Sequence, residues 1–377
     1  MTLPAFMPGL ELSRVFYDEA VAPILERRFA GLRYAAGRLD SGSEVLGFDT
    51  ARSMDHWWGP RVQLFVRTED DTVELRAEIK RVLGAELPFA VRDFPTHMHE
   101  VDVSTGSVFM QHTERRPINH MVFVTTVAEF GREYLGLQAV DREPAVDEWL
   151  VMPEQHLRTV ASGGIWHDDT GEVTRLRDWL RWYPDDVWRY LLAAQWRRIA
   201  QEEPFPGRCV EACDELGSRV VTARLVREVM HLAFLLERQY MAYAKWLGTA
   251  FSRLACAPSL EPHLLAALGA TTWPERERSM SAAYELVARM QNDTGLAAEV
   301  EDKVSPFYGR PFLIIHGDSF AGALRQAITD ERVKRLPPNP GNTTQWVDST
   351  DLLAPRWFER LRGLYASRVP PTSTTFP

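Results

Sequence analysis

The sequence is poor in several features that would define a class of protein. It has three cysteines in 377 residues, Cys209, Cys213 and Cys256, and their spacing matches neither a zinc site nor a disulfide framework. No apolar run approaches the length of a membrane span, and the first residues lack the basic and apolar regions of a signal peptide. We therefore expect reduced thiols in a soluble, cytoplasmic protein that does not contact a membrane.

The chain also lacks an excess of positive charge. Its formal net charge is −9, so we do not expect a broad electrostatic surface for nucleic acid. Hydrophobic residues make up 45% and charged residues 25% of the chain, as is typical of a globular protein. A length of 377 residues is sufficient for two or three domains with cores of their own.

One stretch, residues 42–66, has a composition suited to phosphate and metal binding. Gly42 allows a phosphate to approach the backbone amides closely, and the Ser43 hydroxyl can bond a phosphate oxygen. Eleven residues separate Ser43 from Asp55, whose carboxylate suits a hard divalent cation. Residues 62–66 then predict a strand. On spacing alone, an ordinary turn followed by an exposed acid explains the pattern equally well.

Hydrophobic periodicity predicts an α+β protein. Residues 10–30, with Ser13 as a candidate cap, and residues 72–83 have helical spacing, whereas 62–66 and 98–110 indicate strands. This order indicates a small mixed sheet with helices on one side. From residue 120 the amphipathic runs predict long helices, one of which continues through Leu247. The predicted domains are residues 1–119, residues 120–300, and a C-terminal extension, 301–377, that packs on the other two.

Four separated blocks carry a resemblance to a known family: GSEVLGFD, SMDHWWGPR, LAFLLERQYMAYAKWLGTAF and QWVDSTDLL. Together they resemble, over most of the chain, a bacterial family of nucleotidyltransferase-like proteins catalogued only as a domain of unknown function. The first two blocks also resemble the nucleotidyltransferase fingerprint, a Gly-Ser turn followed at a set distance by Asp-x-Asp or Asp-x-Glu. The resemblance implies a small nucleotidyltransferase-like domain with a mixed sheet, followed by a mainly helical domain.

The resemblance also implies roles for particular residues. In the superfamily the Gly-Ser turn holds a nucleoside triphosphate, which assigns cofactor binding to Gly42 and Ser43. Acidic residues bind magnesium there, which makes Asp55 a metal ligand and a catalytic residue. A third acid on a later strand completes the site and can activate the acceptor. It is expected in the segment HEVDV, with Asp102 ahead of Glu100, and both are candidate metal ligands.

Two acidic positions need separate treatment. The second acid of Asp-x-Asp is expected at residue 57, where this chain has Trp57. In-line displacement at phosphorus with two metal ions requires paired carboxylates. The metal site would therefore be rebuilt from Asp102, Glu100 or His56, or else the chain binds nucleotide and transfers nothing. Asp49 follows Ser43 too closely to be the first acid.

Three residues of the helical half are further candidates. In two-domain small-molecule nucleotidyltransferases a lysine from beyond the first sheet can reach the phosphates, so the resemblance makes Lys245 a candidate phosphate ligand. A surface lysine is the alternative.

Arg224 and His231 loosely match the Arg-x4–6-His pattern of HEPN-type ribonucleases, for which the alternative is an ion-paired helix face. His97, His99, His112 and His120 are interpreted as scattered histidines rather than a zinc site.

Two functions follow from these patterns. The first is an enzyme that moves a nucleotidyl group from ATP or another nucleoside triphosphate to a hydroxyl of a small molecule, with Mg²⁺ or Mn²⁺. The alternative is a non-catalytic nucleotide-binding or toxin–antitoxin-like module, which Trp57 favours. A homodimer is compatible with both functions. The sequence names neither the acceptor nor the preferred base.

Overall fold

The structure is a computed structural model that describes residues 4–102 and 107–366. The side chains of residues 100–102 and 366 lie outside that description. The chain divides into two compact units. The first comprises the chain up to Pro144 together with His156–Arg181, and the second comprises Ala145–Gln155 together with the chain from Trp182 onward. Each unit is treated separately below.

The fold is α+β, as predicted, with short strands and many helices. The strands are β1 Tyr34–Arg38, β2 Arg61–Val66, β3 Ala90–Val91, β4 Phe94–Pro95, β5 Met98–Asp102, β6 Ser107–Met110, β7 Met121–Thr125, β8 Gly164–Asp168, β9 Ser305–Pro306 and β10 Leu313–Ile314. The α-helices are α1 Gly9–Phe16, α2 Ala22–Arg28, α3 Val73–Glu86, α4 Val127–Leu135, α5 Val146–Val151, α6 Glu154–Ser162, α7 Glu172–Trp179, α8 Asp185–Glu202, α9 Phe205–Glu211, α10 Glu215–Leu236, α11 Leu247–Phe251, α12 Ala257–Gly269, α13 Trp273–Asp293, α14 Gly317–Gln326, α15 Glu331–Lys334, α16 Thr343–Trp346 and α17 Phe358–Ala366.

The first unit is organised around a four-stranded mixed sheet in the order β7-β2-β1-β8. β2 pairs in parallel with β7, whereas β1 pairs antiparallel with both β2 and β8. Two separate hairpins, β3-β4 and β5-β6, complete the strands of this unit. The mixed sheet predicted from the sequence is therefore confirmed.

Strand β7 corrects one prediction about the chain after residue 120. Periodicity predicts a helix there, but Met121–Thr125 forms a strand, and the helix α4 begins only at Val127. Val122, Val124 and Thr125 are β-branched and suit a pleated surface, and β2 offers them a parallel partner. The sheet of the first unit thus continues past residue 119, the predicted end of the first domain.

The core of the first unit lies on one face of β2. Val62, Leu64 and Val66 alternate with Arg61, Gln63 and Phe65 along the strand, and the apolar three pack in a cluster with residues of α1, α2 and α3. The helical stretch predicted for residues 10–30 is confirmed as α1, a π-helical turn at Tyr17–Val21, and α2.

Ser13 does not cap this helical stretch. The helix α1 begins at Gly9, so Ser13 lies inside it, and its hydroxyl donates to the carbonyl of Arg61 on β2. The side chain therefore joins the helix to the sheet.

The second unit is mainly helical, with α8 packed on α10 and α14. Large aromatic side chains fill it: Trp196 is fully buried and stacks on Phe320 with 4.3 Å between ring centroids. The indole of Trp188 donates to the carbonyl of Leu235 over 2.8 Å. Burying an indole is favourable only when its N–H finds an acceptor, so these tryptophans are packing residues.

Helix α10 is shorter than its hydrophobic pattern predicts. It ends at Leu236, and Arg238 has a left-handed backbone with φ 53°. The backbone N–H of Met241 donates to the Glu154 carboxylate over 2.7 Å instead of continuing a helix. The helix thus ends at a left-handed residue, and a carboxylate distant in sequence holds the chain just beyond it.

Residues 367–377 of the predicted C-terminal extension lie outside the described residues. Across residues 4–102 and 107–366, the helices that are long enough to cross a membrane are not apolar enough to do so.

Candidate functional site

The Gly42–Ser43 segment forms a tight turn directly after β1. The Ser43 carbonyl accepts the N–H of Phe48 over 2.9 Å, and the Glu44 carbonyl accepts the N–H of Gly47 over 3.1 Å. A Cβ atom at Gly42 would overlap the carboxylate of Glu44. Glycine is therefore required here by close approach to a carboxylate that is itself held in place.

Two buried arginines hold that carboxylate. Glu44 Oε1 lies 3.0 Å from Arg38 Nη2 and 3.5 Å from Arg61 Nη1, and all three side chains are buried. Arg38 comes from the end of β1 and Arg61 from the start of β2, so the cluster joins both strands to the turn. Arg38 also pairs with Asp40 and donates to the carbonyl of Ser41 over 2.8 Å.

Burial disfavours the charged forms of both arginines in this cluster. Burial, followed by the neighbouring guanidinium of Arg61, lowers the pKa of Arg38 to about 9. Burial also lowers the pKa of Arg61. The Nε atoms of both arginines are buried without a hydrogen-bond partner among the residues that the structure describes.

Asp55 lies in a loop ahead of β2 rather than on the strand. The loop follows a short 3₁₀ turn, Ala51–Ser53, and the strand begins only at Arg61. The Asp55 side chain is 57% exposed, and its Oδ1 lies 3.3 Å from His56 Nδ1. This carboxylate is therefore accessible to a cation from solvent.

Trp57 is held at the same loop by its backbone. Its N–H donates to the carbonyl of Val108 over 2.9 Å, and its carbonyl accepts from Arg61 Nη1 over 2.5 Å. The residue has a left-handed backbone with φ 58°. The position where the second acid is expected thus lies in a turn, so Asp55 and residue 57 do not alternate along one face of a strand.

The acid-bearing strand β5 belongs to a hairpin and not to the four-stranded sheet. Glu100 pairs with Val108, and Asp102 pairs with Ser107, with an irregularity between the two pairs. The side chains of Glu100 and Asp102 lie outside the described part of the chain. Because Val108 also bonds Trp57, the backbone of β5 is one strand away from the Asp55 loop.

The metal site predicted from Asp55, Glu100 and Asp102 therefore stays a prediction. Within residues 4–102 and 107–366, no three His, Cys, Asp or Glu side chains are arranged to hold a metal ion. The side chains of two of the three predicted ligands, Glu100 and Asp102, are outside the part of the chain that the structure describes.

Asp49 has a structural role, which agrees with its exclusion as the first acid. Its Oδ2 accepts the N–H of Gly9, at the start of α1, over 2.7 Å and the indole N–H of Trp58 over 3.1 Å. Trp58 is buried against Phe94. The carboxylate thus anchors a helix start and a buried indole.

Two of the candidate histidines also have structural partners. His120 is buried; its Nδ1 accepts the N–H of Val122 over 3.2 Å, its Nε2 lies 3.2 Å from the Lys80 carbonyl, and burial lowers its pKa. His97 Nδ1 accepts the N–H of Asn119 over 3.0 Å. Both ring nitrogens of His120 and one of His97 thus contact backbone groups.

The middle of the chain matches a known protein family. Residues 149–247 match the model of a family described as "Domain of unknown function (DUF4037)". The predicted resemblance to a domain of unknown function is confirmed over this segment. The match includes most of the third of the four blocks, whereas residues 42–66 lie outside it.

Two further comparisons complete these findings. A crystal structure described as a nucleotidyltransferase-like protein from Exiguobacterium sibiricum aligns with 76% of this chain and 77% of its own chain, at 10% identity and a TM-score of 0.32. Among curated proteins, the comparison found none that matches.

The DUF4037-matching segment contains a buried carboxylate that sequence reasoning missed. Glu154 is fully buried, and its Oε1 lies 2.8 Å from His231 Nε2 and accepts from Asn342 Nδ2 over 2.9 Å. Burial raises the pKa of Glu154, but the His231 contact and the hydrogen bonds from Asn342 and Met241 together lower it below its ordinary value. The only signal in the sequence is an acid after Met-Pro at a helix start, which is too common to be specific.

Arg224 and His231, which match the HEPN-type pattern in the sequence, have different environments in the structure. Arg224 is 56% exposed and pairs with Glu202 over 3.2 Å, whereas His231 is fully buried against Glu154. A ribonuclease site of the HEPN type needs both side chains at one accessible site. The ion-paired alternative is the one observed for Arg224.

Lys245 is exposed and lies in a 3₁₀ turn, Ala244–Trp246, rather than at a helix end. Its Nζ lies 5.0 Å from the ring centroid of Trp246. A role for Lys245 in phosphate binding stays a prediction.

Proposed function

We propose that this protein is a metal-dependent nucleotidyltransferase that moves a nucleotidyl group from a nucleoside triphosphate to a hydroxyl of a small molecule. One observation carries the proposal: a continuous set of contacts in the first unit. Glu44 contacts Arg61, Arg61 bonds the Trp57 carbonyl, and the Trp57 N–H bonds Val108, the partner of Glu100. These contacts link the Gly42–Ser43 turn, the Asp55 loop and the hairpin of β5 and β6, which have separate predicted roles.

The triphosphate would lie against the Gly42–Ser43 turn. A phosphate needs backbone amides at close range and nearby positive charge. The turn offers the first, and the buried guanidinium groups of Arg38 and Arg61 stand behind it. Burial is the main cause of the lowered pKa of both arginines, so an anion beside the guanidinium groups would favour their charged forms.

Asp55 and the acids of β5 would hold Mg²⁺ or Mn²⁺. Magnesium sites of this kind use one or two carboxylates and complete their coordination with substrate phosphates and water. One exposed carboxylate at Asp55 beside the turn fits such a donor set. When bound, the ion neutralises negative charge on the triphosphate and on the leaving group.

The reaction would be a single displacement at the α-phosphorus. The acceptor oxygen forms a bond to the α-phosphorus, and the bond from that phosphorus to the bridging oxygen of pyrophosphate breaks. Pyrophosphate leaves with the electron pair of that bond. The acceptor proton passes to a carboxylate, for which Asp102 on β5 is the first candidate and Glu100 the second.

Calorimetric titration tests the binding half of the proposal. The native protein should bind at least one of the four common nucleoside triphosphates in the presence of Mg²⁺ or Mn²⁺. Asp55→Asn should remove the metal dependence, whereas Glu69→Gln, which changes another exposed acid of the first unit, should not. Absence of binding to all four triphosphates with either metal would overturn the proposal.

Pyrophosphate release over a panel of hydroxylated acceptors tests the transfer half. A non-catalytic nucleotide-binding module is the second candidate, because Trp57 stands where the second acid is expected. Nucleotide binding without turnover by the native protein, together with turnover by Trp57→Asp, would favour that second function.

A further inference from the structure

Trp57 combines two features that are unfavourable for folding. Its backbone lies in the left-handed region, at φ 58°, which is a genuine outlier for a bulky residue. Its side chain is also 39% exposed, so much of a large apolar ring faces solvent. Packing in the core therefore does not compensate for the backbone strain.

The backbone conformation at this position is imposed from both sides. The hydrogen bonds to Val108 and from Arg61 fix the N–H and the carbonyl of residue 57. Glycine, asparagine or aspartate would adopt this conformation with less strain. The presence of tryptophan must then be explained by what its ring contacts and not by the turn.

The exposed ring of Trp57 has a cation and two further rings in its vicinity. The Arg61 guanidinium carbon lies 5.7 Å from the indole centroid, and Arg61 itself is buried. His56, next in the chain, and Phe109 of β6 lie 6.4 Å apart between ring centroids, and both are exposed. The loop therefore presents aromatic surface to solvent beside the Gly42–Ser43 turn.

We propose that Trp57 is a stacking platform for the nucleobase of the nucleotide, an inference that rests on the proposed function. An aromatic face binds any base through its π surface, without hydrogen-bonded selection. The turn would hold the phosphates while the indole holds the base. A site of this kind accepts all four nucleotides, and purines bind more tightly than pyrimidines because they stack over a larger area.

The test compares ATP with inorganic tripolyphosphate, each with Mg²⁺, by calorimetry. Trp57→Asn should weaken ATP binding by roughly 5- to 100-fold, the range expected for loss of one base–aromatic stack. It should leave tripolyphosphate binding within about twofold, since that probe has no base. The same variant should unfold at an equal or higher denaturant concentration than the native protein, because asparagine tolerates the left-handed backbone.

Trp179→Ala is the matched control. Trp179 lies on α7 of the same unit, and the Arg175 guanidinium carbon is likewise 5.7 Å from its ring centroid. This variant should retain native affinity for both probes.

The remaining outcomes are distinguishable. Unchanged ATP affinity in Trp57→Asn would overturn the platform and leave the proposed function intact. Equal losses for ATP and tripolyphosphate, accompanied by lower stability, would show that Trp57 only supports the turn. Failure of the native protein to bind either probe would overturn both proposals.

Discussion

At the scale of single residues, Glu44 balances two buried cations. Removing one partner of a buried ion pair leaves an uncompensated charge and costs about 3–5 kcal/mol. Glu44→Ala exposes Arg38 and Arg61 to each other, so we expect the free energy of unfolding to fall by about that amount. Urea titration measures it.

Glu69→Ala is the control for this change. Glu69 pairs with Arg67 over 3.0 Å, but its side chain is 65% exposed. Water screens such a pair, so its loss should change the unfolding free energy by about 0.5 kcal/mol or less. Equal effects of the two substitutions would show that the Glu44 cluster is not electrostatically coupled.

Asp49 and Asp55 are a second residue-scale contrast. Asp49→Asn weakens charge-assisted hydrogen bonds to Gly9 and Trp58, so we expect a loss of about 1–3 kcal/mol of stability. Asp55→Asn changes an exposed side chain and should leave stability unchanged while it removes metal dependence of nucleotide binding. Thermal unfolding and calorimetry, applied to both variants, separate the two roles. A stability loss confined to Asp55→Asn would contradict this assignment.

At the scale of elements, Glu154 joins helix α10 to the segment that follows it. Its carboxylate binds His231 on that helix and also the Met241 N–H just beyond it. Glu154→Ala leaves both groups buried and unpaired, so we expect a loss of about 3–5 kcal/mol. The Met241 amide should then exchange with solvent deuterium much faster, because the variant lacks its acceptor.

Hydrogen exchange followed by mass spectrometry measures that change. The Trp57 N–H, whose acceptor in the first unit is unaffected, is an internal reference. Unchanged protection at Met241 in Glu154→Ala would mean that the Glu154 carboxylate is not what protects this amide.

At the scale of the whole molecule, buried carboxylates with raised and lowered pKa values change the folding stability in opposite directions as the pH rises. Burial raises the pKa of Glu203 to about 7, although its carboxylate accepts the N–H groups of Ile315 and Gly317. In Glu154 and Glu228, the hydrogen bonds and the neighbouring positive charges outweigh burial, and the pKa is lowered.

The signs of these shifts predict a stability maximum on the acid side of neutrality. The raised pKa of Glu203 contributes stability below its ordinary value of 4.5, and that contribution is lost as the pH rises to about 7. The lowered pKa values contribute stability above 4.5 that is lost as the pH falls. Unfolding free energies measured from about pH 2.5 to 9 should show this maximum.

Glu203→Gln isolates the alkaline side of the profile. A glutamine does not titrate, so the fall in stability between about pH 4.5 and 7 should be smaller in the variant than in the native protein. Parallel pH profiles for the two proteins would contradict the raised pKa.

Much of the architecture could be predicted from local patterns. The α+β class, the helices at 10–30 and 72–83, and the strands at 62–66 and 98–110 follow from hydrophobic periodicity, because an element that buries one face must repeat with that element's own period. The residues Gly42, Ser43 and Asp55, together with the resemblance, indicate one candidate site, because turn chemistry and ligand type are local properties; that site stays a prediction.

Only the tertiary structure decided which residues meet. Strand β7 has a helix-like pattern but finds a parallel partner in β2, and α10 ends before the left-handed Arg238, beyond which Glu154 accepts the N–H of Met241. The cluster of Arg38, Glu44 and Arg61 joins the end of β1, the turn and the start of β2, a pairing that hydrophobic periodicity does not predict. A buried charge is stable only beside its partner, and that partner is supplied by the fold.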